Sequence, residues 1–263
     1  MTLSGAIVDL DGTVYRGDQL LPGAADAVDR LRTAGLSPLF FSNNPTKDGD
    51  AYVEHLRDLG VDVRPGEACS AGVATTEYLR GHHAADDIML VGAPGLRRQL
   101  RAADLSLTTD PDRTDVLVGS WTPEFGYQHM NDALQAVDED TAFLGTDPDR
   151  TFPQADGRVV PGSGAVVNAL AAAVGRKPDA FLGKPSDAAL DLALERLDVP
   201  AEECLVVGDR LSTDLAMGER AGMTTVLVLT GVSGRDDVRD SDVTPDFVVE
   251  SLGDIDEVLD ATE

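Results

Sequence analysis

Apolar residues fall along this chain in two alternating patterns: short continuous runs, and longer stretches in which they recur at helical spacing. Ala6-Ile7-Val8 reads as a strand buried on both faces. Residues 36–41, 88–91, 116–118, 142–144, 205–207, 225–229 and 247–249 read the same way, with shorter strands expected around Val61 and at Phe181-Leu182. Helical spacing covers 22–34, where Ala24, Ala27, Val28 and Leu31 share a face, Pro22 suits the first turn and Gly35 a stop. It recurs over 46–59, 70–79, 96–103, 127–137, 165–174, after Ser186, 214–221 and 255–259. Strands alternating with helices imply parallel strands joined by right-handed crossovers, hence a doubly wound parallel α/β sheet. A second α/β unit is expected to begin near Ala84 and to end at Gly175-Arg176-Lys177-Pro178. The chain then divides into a discontinuous core, 1–83 plus 178–263, and an insertion, 84–177, whose 146–164 loop is rich in Asp, Pro and Gly.

Composition narrows the function classes. The 263 residues suffice for one large domain or two modest ones, and 42% hydrophobic content marks a folded chain. Net charge is -26 and the pI about 4.2. That argues against nucleic acid as a partner, because phosphate backbones are bound by clustered Lys and Arg. Lysine occurs only at 47, 177 and 184, while acid is dispersed along the whole length. Dispersed acid fits a surface adapted to high salt, where screening removes self-repulsion. No basic-then-apolar segment precedes the first strand, and no apolar run reaches the roughly 18–20 residues of a membrane span. Cys69 and Cys204 form no Cys-x-x-Cys pair, so no disulfide framework is indicated and a cytoplasmic location is expected.

The chemistry concentrates at strand ends, where ligands bind in open parallel sheets. The first strand ends in Asp9-Leu10-Asp11-Gly12, with two carboxylates that share one side if the strand geometry persists. Other runs end in Ser42, Lys184 and Asp209, and Asp214 follows in the first turn of a helix. If these strands are neighbours, four carboxylates and one ammonium share a crevice. A phosphate dianion needs further cation to enter it. Oxygen ligands without His or Cys suit Mg²⁺ rather than zinc. One carboxylate can then attack a phosphoryl group, and another can serve as general acid and base.

Asp9-Leu-Asp11-Gly12-Thr13-Val-Tyr-Arg16-Gly17, Ser42-Asn43-Asn44, Gly183-Lys184-Pro185-Ser186 and Gly208-Asp209-Arg210-Leu-Ser-Thr213-Asp214 resemble the four motifs of the haloacid dehalogenase superfamily. The closer resemblance is to its NagD-like, p-nitrophenylphosphatase-type branch, in which an α/β cap is inserted between the second and third motifs. It implies Asp9 as nucleophile, Asp11 as general acid/base, and Ser42, with Asn43 beside it, as phosphoryl binder. Lys184 would stabilise the nucleophile and the transferring group. Mg²⁺ would be held by Asp9, Asp209 and the backbone carbonyl of Asp11, with Asp214 in support. The implied activity is hydrolysis of a small phosphorylated metabolite: a sugar phosphate, phosphoglycolate or a nucleoside monophosphate. Relatives in the branch pair as dimers, so a homodimer is compatible, although no feature here requires one. Pro45 stands where relatives carry Ser or Thr, and Asp147 where Asn is expected.

Other readings of the same residues are a phosphotransferase with an alcohol acceptor and a non-catalytic sensor of a phosphometabolite. The sensor has no need of a nucleophile, yet every catalytic position is filled. His82-His83 has no companion ligands in sequence, and Trp121, Phe125 and Tyr127 read as packing. Gly162-Ser163-Gly164 fails the dinucleotide fingerprint at Val167, and Gly183-Lys184 fails the Walker pattern at Pro185.

Overall fold

The computed structural model describes residues 2–154 and 158–262; positions 155–157 of the 146–164 loop lie outside the described residues. The first apolar run forms β1 (Gly5–Val8), followed by a hairpin of β2 (Tyr15–Arg16) and β3 (Gln19–Leu20). α1 (Ala24–Thr33) buries the expected face of Ala24, Ala27, Val28 and Leu31. β4 (Ser37–Ser42), α2 (Gly49–Asp58) and β5 (Ala68–Ser70) come next. The strand expected around Val61 does not form. Gly60, at φ 90°, ends α2, and the Val61 N–H bonds Leu56 O at 3.0 Å, so Val61 closes a helix instead of joining a ladder. It is nonetheless buried, as is Val63.

α3 (Ala71–His82) starts on a Ser70 cap whose Oγ accepts from Val73 N–H at 3.3 Å. Then follow β6 (Asp87–Val91), α4 (Pro94–Ala102), β7 (Ser106–Thr108), β8 (Val116–Gly119), α5 (Tyr127–Ala136) and β9 (Ala142–Gly145). Part of the expected loop is an antiparallel hairpin, β10 (Thr151–Pro153) with β11 (Val159–Pro161). After it come α6 (Ser163–Val174), β12 (Ala180–Phe181) and α7 (Asp187–Leu197). The chain closes with β13 (Cys204–Gly208), a π-helical turn (Leu211–Leu215), α8 (Ala216–Ala221), β14 (Thr224–Val228), α9 (Arg235–Arg239), β15 (Phe247–Val249) and α10 (Asp256–Thr262).

The chain divides into two units, one of Met1–Ser42, Gly49–Cys69 and Ala189–Glu263, the other of Asn43–Asp48 and Ser70–Ala188. The junctions expected at 83/84 and 177/178 thus fall inside the second unit. The reason is apolar burial: Leu79 of α3 and Leu182 after β12 pack in one cluster with Ile88, Leu96 and Val118.

In the first unit the sheet order is β15-β14-β13-β1-β4-β5, and β1 pairs in parallel with both β13 and β4. Successive strands run outwards from β1 on one side and from β13 on the other, so the order reverses between them. That is the topological switch point where α/β sheets bind ligands. The second unit has a five-stranded sheet, β12-β9-β8-β6-β7. Here one expectation is corrected. The run that ends in Gly183-Lys184 is not a neighbour of β1: Ala180 and Phe181 pair with Leu144 and Gly145 of β9. An apolar run this short carries no signal of which sheet edge it joins.

Candidate active site

Asp9 is the residue after β1, level with the end of β13, and its N–H donates to Val207 O at 2.9 Å. Ladder register therefore brings the β1 and β13 ends together, with Asp209 directly after Gly208. The π-helical turn that follows contains Asp214; such wide turns are rare and concentrate at functional sites. One carboxylate oxygen from each of Asp9, Asp209 and Asp214 lies within 4.8 Å of the others, and all three residues are buried. Asp209 Oδ2 accepts from Val232 N–H at 2.7 Å, and its carbonyl from Ser233 N–H at 2.9 Å. Asp214 Oδ2 accepts from Arg210 N–H at 3.3 Å. Two glycines leave Asp209 its space. Gly12 has φ 90°, and a Cβ there would lie 2.6 Å from Asp209 Oδ2; a Cβ on Gly231 would collide with the same carboxylate. A divalent cation offsets the like-charge repulsion among three carboxylates this close. The donor set is oxygen only and so fits Mg²⁺.

Asp11 is solvent-facing, whereas Asp9 and Leu10 are buried. Beyond Leu10 the backbone leaves the strand for a single turn, with Val14 N–H bonding Leu10 O at 2.9 Å. Ser42, the last residue of β4, is buried, and its Oγ accepts from Tyr52 OH at 3.2 Å.

Asn43 and Lys184 belong to the second unit, and they are bonded to each other. The Asn43 amide clamps the Lys184 backbone: Oδ1 accepts from Lys184 N–H at 2.9 Å, and Nδ2 donates to Lys184 O at 3.0 Å. Nδ2 also reaches Asp149 Oδ2 at 3.2 Å. Lys184 is almost wholly buried. Gly183 N–H donates to Thr146 O, which ties this segment to the end of β9. Next along that end, Asp147 is buried, accepts from Asp149 N–H at 3.2 Å and lies 3.0 Å from Thr146 Oγ1. Burial, with Asp149 adding to it, pushes the Asp147 carboxyl up to about 8. The departure from Asn at this position therefore adds less charge at neutral pH than the sequence implies. Pro45 offers only its carbonyl, which accepts from Gln99 Nε2 at 3.0 Å.

The profile of haloacid dehalogenase-like hydrolases matches residues 6–106, and a second HAD hydrolase-like profile matches 181–255. The acid sugar phosphatase of Staphylococcus epidermidis is 31% identical over 246 residues, 94% of each chain. The chain belongs to the haloacid dehalogenase-like hydrolases. Within them this hydrolase is of the phosphatase type. It superposes on the p-nitrophenyl phosphatase from Archaeoglobus fulgidus with TM-score 0.90 and 33% identity, covering 98% of this chain and 100% of that one. On the glycerol phosphate phosphatase of Mycobacterium tuberculosis, solved in complex with magnesium, the TM-score is 0.85 and identity 29%, covering 95% and 75%.

Several residues that bond the expected site residues within each unit escaped the sequence reading. Val232 and Gly231 hold and admit Asp209; their only signal is a Thr-Gly-Val-Ser turn directly after an apolar run. The buried phenol of Tyr52 donates to Ser42 Oγ, and in sequence Tyr52 looks like a core aromatic. Asp149, two residues past Asp147, is bonded by Asn43. Among the described residues no helix is long and apolar enough to cross a membrane.

Proposed function

We propose that this hydrolase cleaves a small phosphomonoester of the sugar-phosphate class through an aspartyl-phosphate on Asp9, with Mg²⁺ as cofactor. The observation that carries the reading is the gathering of Asp9, Asp209 and Asp214 at the switch point of the first sheet. The names of the sugar and glycerol phosphate phosphatases it resembles support the substrate class, and the magnesium complex of one of them supports the metal.

Asp9, Asp209 and the backbone carbonyl of Asp11 would hold Mg²⁺, supported by Asp214. When bound there, it neutralises the carboxylates and polarises a phosphoryl oxygen. A carboxylate oxygen of Asp9 attacks phosphorus, and the bond from phosphorus to the ester oxygen breaks. Asp11, protonated, gives its proton to the departing alcohol. Water then attacks the same phosphorus and passes a proton back to Asp11, and Asp9 leaves as carboxylate. The sum is ester plus water to alcohol plus phosphate. The family pattern assigns Ser42 to the phosphoryl oxygens and Lys184 to the charge that develops on them. It assigns the second unit to substrate selection as the cap. Because Asn43 binds the Lys184 backbone, we give it the task of fixing that lysine.

Asp9→Asn tests the mechanism. Turnover should fall on the order of 10⁴-fold or more, while inorganic phosphate still binds; normal activity in that variant would exclude Asp9 as nucleophile.

A further inference from the structure

After β14 the chain turns through Thr230-Gly231-Val232-Ser233, and this short turn grips Asp209. Val232 N–H donates to Asp209 Oδ2 at 2.7 Å, and Ser233 N–H donates to Asp209 O at 2.9 Å. Two residues on, Leu211 N–H donates to Ser233 Oγ at 3.2 Å. The aspartate is therefore held by its side chain, by its own carbonyl and by the backbone that follows it. The turn also lies close against the chain after β1. A Cβ on Gly12 would stand 3.1 Å from Gly231 Cα, with the Asp209 carboxylate against both glycines.

A turn can aim an aspartate only if it is itself fixed, and Thr230 fixes it. Thr230 is half-buried; its Oγ1 donates to Gly12 O at 2.6 Å, and its carbonyl accepts from the Arg16 guanidinium. Arg16 belongs to β2, beside Tyr15, whose carbonyl accepts from Gly12 N–H at 2.8 Å. Both backbone groups of Gly12 are thus engaged, one by the hairpin and the other by Thr230. Gly12 N–H shares a planar peptide with the Asp11 carbonyl, so the direction of that carbonyl is set by the same bonds. One threonine hydroxyl fastens the turn that aims Asp209 to the backbone that carries the Asp11 carbonyl.

We propose that Thr230 is a positioning residue for the divalent-cation site, locking the 230–233 turn to Gly12 so that Asp209 and the Asp11 carbonyl keep a common register. This rests on Asp209 being a metal ligand. Groups that orient metal ligands without touching the metal typically change its affinity by about 10- to 100-fold.

The test is an equilibrium titration with Mn²⁺, which takes the same oxygen ligands as Mg²⁺. The paramagnetic signal of the free ion reads affinity and number of sites separately, and high salt screens the dispersed surface acid. Thr230→Val keeps the branched shape and removes the donor; its Kd should rise roughly tenfold or more, with the number of sites unchanged. Thr230→Ser restores the donor and should bind within about threefold of the parent protein. Asp209→Asn should lose the site. A parent-like Kd in Thr230→Val, with or without fewer sites, would overturn the positioning role if Asp209→Asn still fails to bind. So would a Thr230→Ser as weak as Thr230→Val, because the hydroxyl would then not be what matters. Parent-like binding in Asp209→Asn would overturn the metal reading together with this one.

Discussion

The two units of this hydrolase place polar residues at the ends of parallel strands by the same topology, but satisfy them in different ways. At the end of β1 and β13 the first unit gathers the carboxylates of Asp9, Asp209 and Asp214. The Val232 N–H donates to Asp209 and orients its carboxylate. At the end of β9 and β12 the second unit sets donors against acceptors. Asn43 bonds both backbone groups of Lys184, and Asp147 is enclosed by Thr146, Asp149 and Ser163. The first arrangement, an oxygen-only set of three close carboxylates, fits a divalent cation. In the second, donors and acceptors of the chain meet each other, as where the Asn43 side chain bonds the Lys184 backbone. Parallel-sheet topology therefore locates a polar cluster but does not fix its chemistry; the balance of donors and acceptors does.

Metal removal should separate the two most strongly. Chelation should silence the enzyme, and Mg²⁺ at 100-fold its Kd should stabilise the folded chain by about 2.7 kcal/mol. Asp209→Asn should lose most of that stabilisation in a thermal melt followed with and without Mg²⁺; a melt that ignores Mg²⁺ in the parent protein would break the comparison. Asn43→Ala should behave in the opposite way. It strips partners from two backbone groups of Lys184, at a cost of about 2 kcal/mol or more, and Mg²⁺ should not restore the loss. A denaturant titration with and without the ion reads this directly.

A third effect is pH-dependent. Asp147 takes up its proton with a pKa of about 8 when folded, against 3.8 for the unperturbed group. Between those values the unfolded chain releases a proton that the folded one keeps. Its contribution to stability is full below the lower value and is lost as pH rises through the upper one. Asp147→Asn removes the titration, so the variant should gain on the parent protein through that window and hold a constant advantage above it. Melting temperatures of both proteins across the window test this; a difference independent of pH would mean Asp147 is ionised throughout.

Much of this was legible in the chain. Buried strands announce themselves as apolar runs, so β1, β4, β13 and the polar residues at their ends are legible in order, and the motifs point to a phosphatase. The partner of a strand is not written in its composition. Phe181-Leu182 reads like any core strand, yet it pairs with β9, and Val61 is apolar for helix closure. Nor does the sequence distinguish Tyr52 from an ordinary core aromatic, since only the placement of its hydroxyl on Ser42 shows what it supports. Asp147 reads as an added charge until its burial is known.

The central claim is that Asp9 receives the phosphoryl group. Asp11→Asn mixed with 4-nitrophenyl phosphate and Mg²⁺ provides the test, because this leaving group departs unaided while the second half-reaction lacks its base. After acid quench, peptide mass mapping should find the added phosphoryl group on Asp9, in step with one equivalent of released 4-nitrophenolate. Phosphorylation of Ser42 or any other residue, or steady release of 4-nitrophenolate from an unmodified protein, would contradict the account.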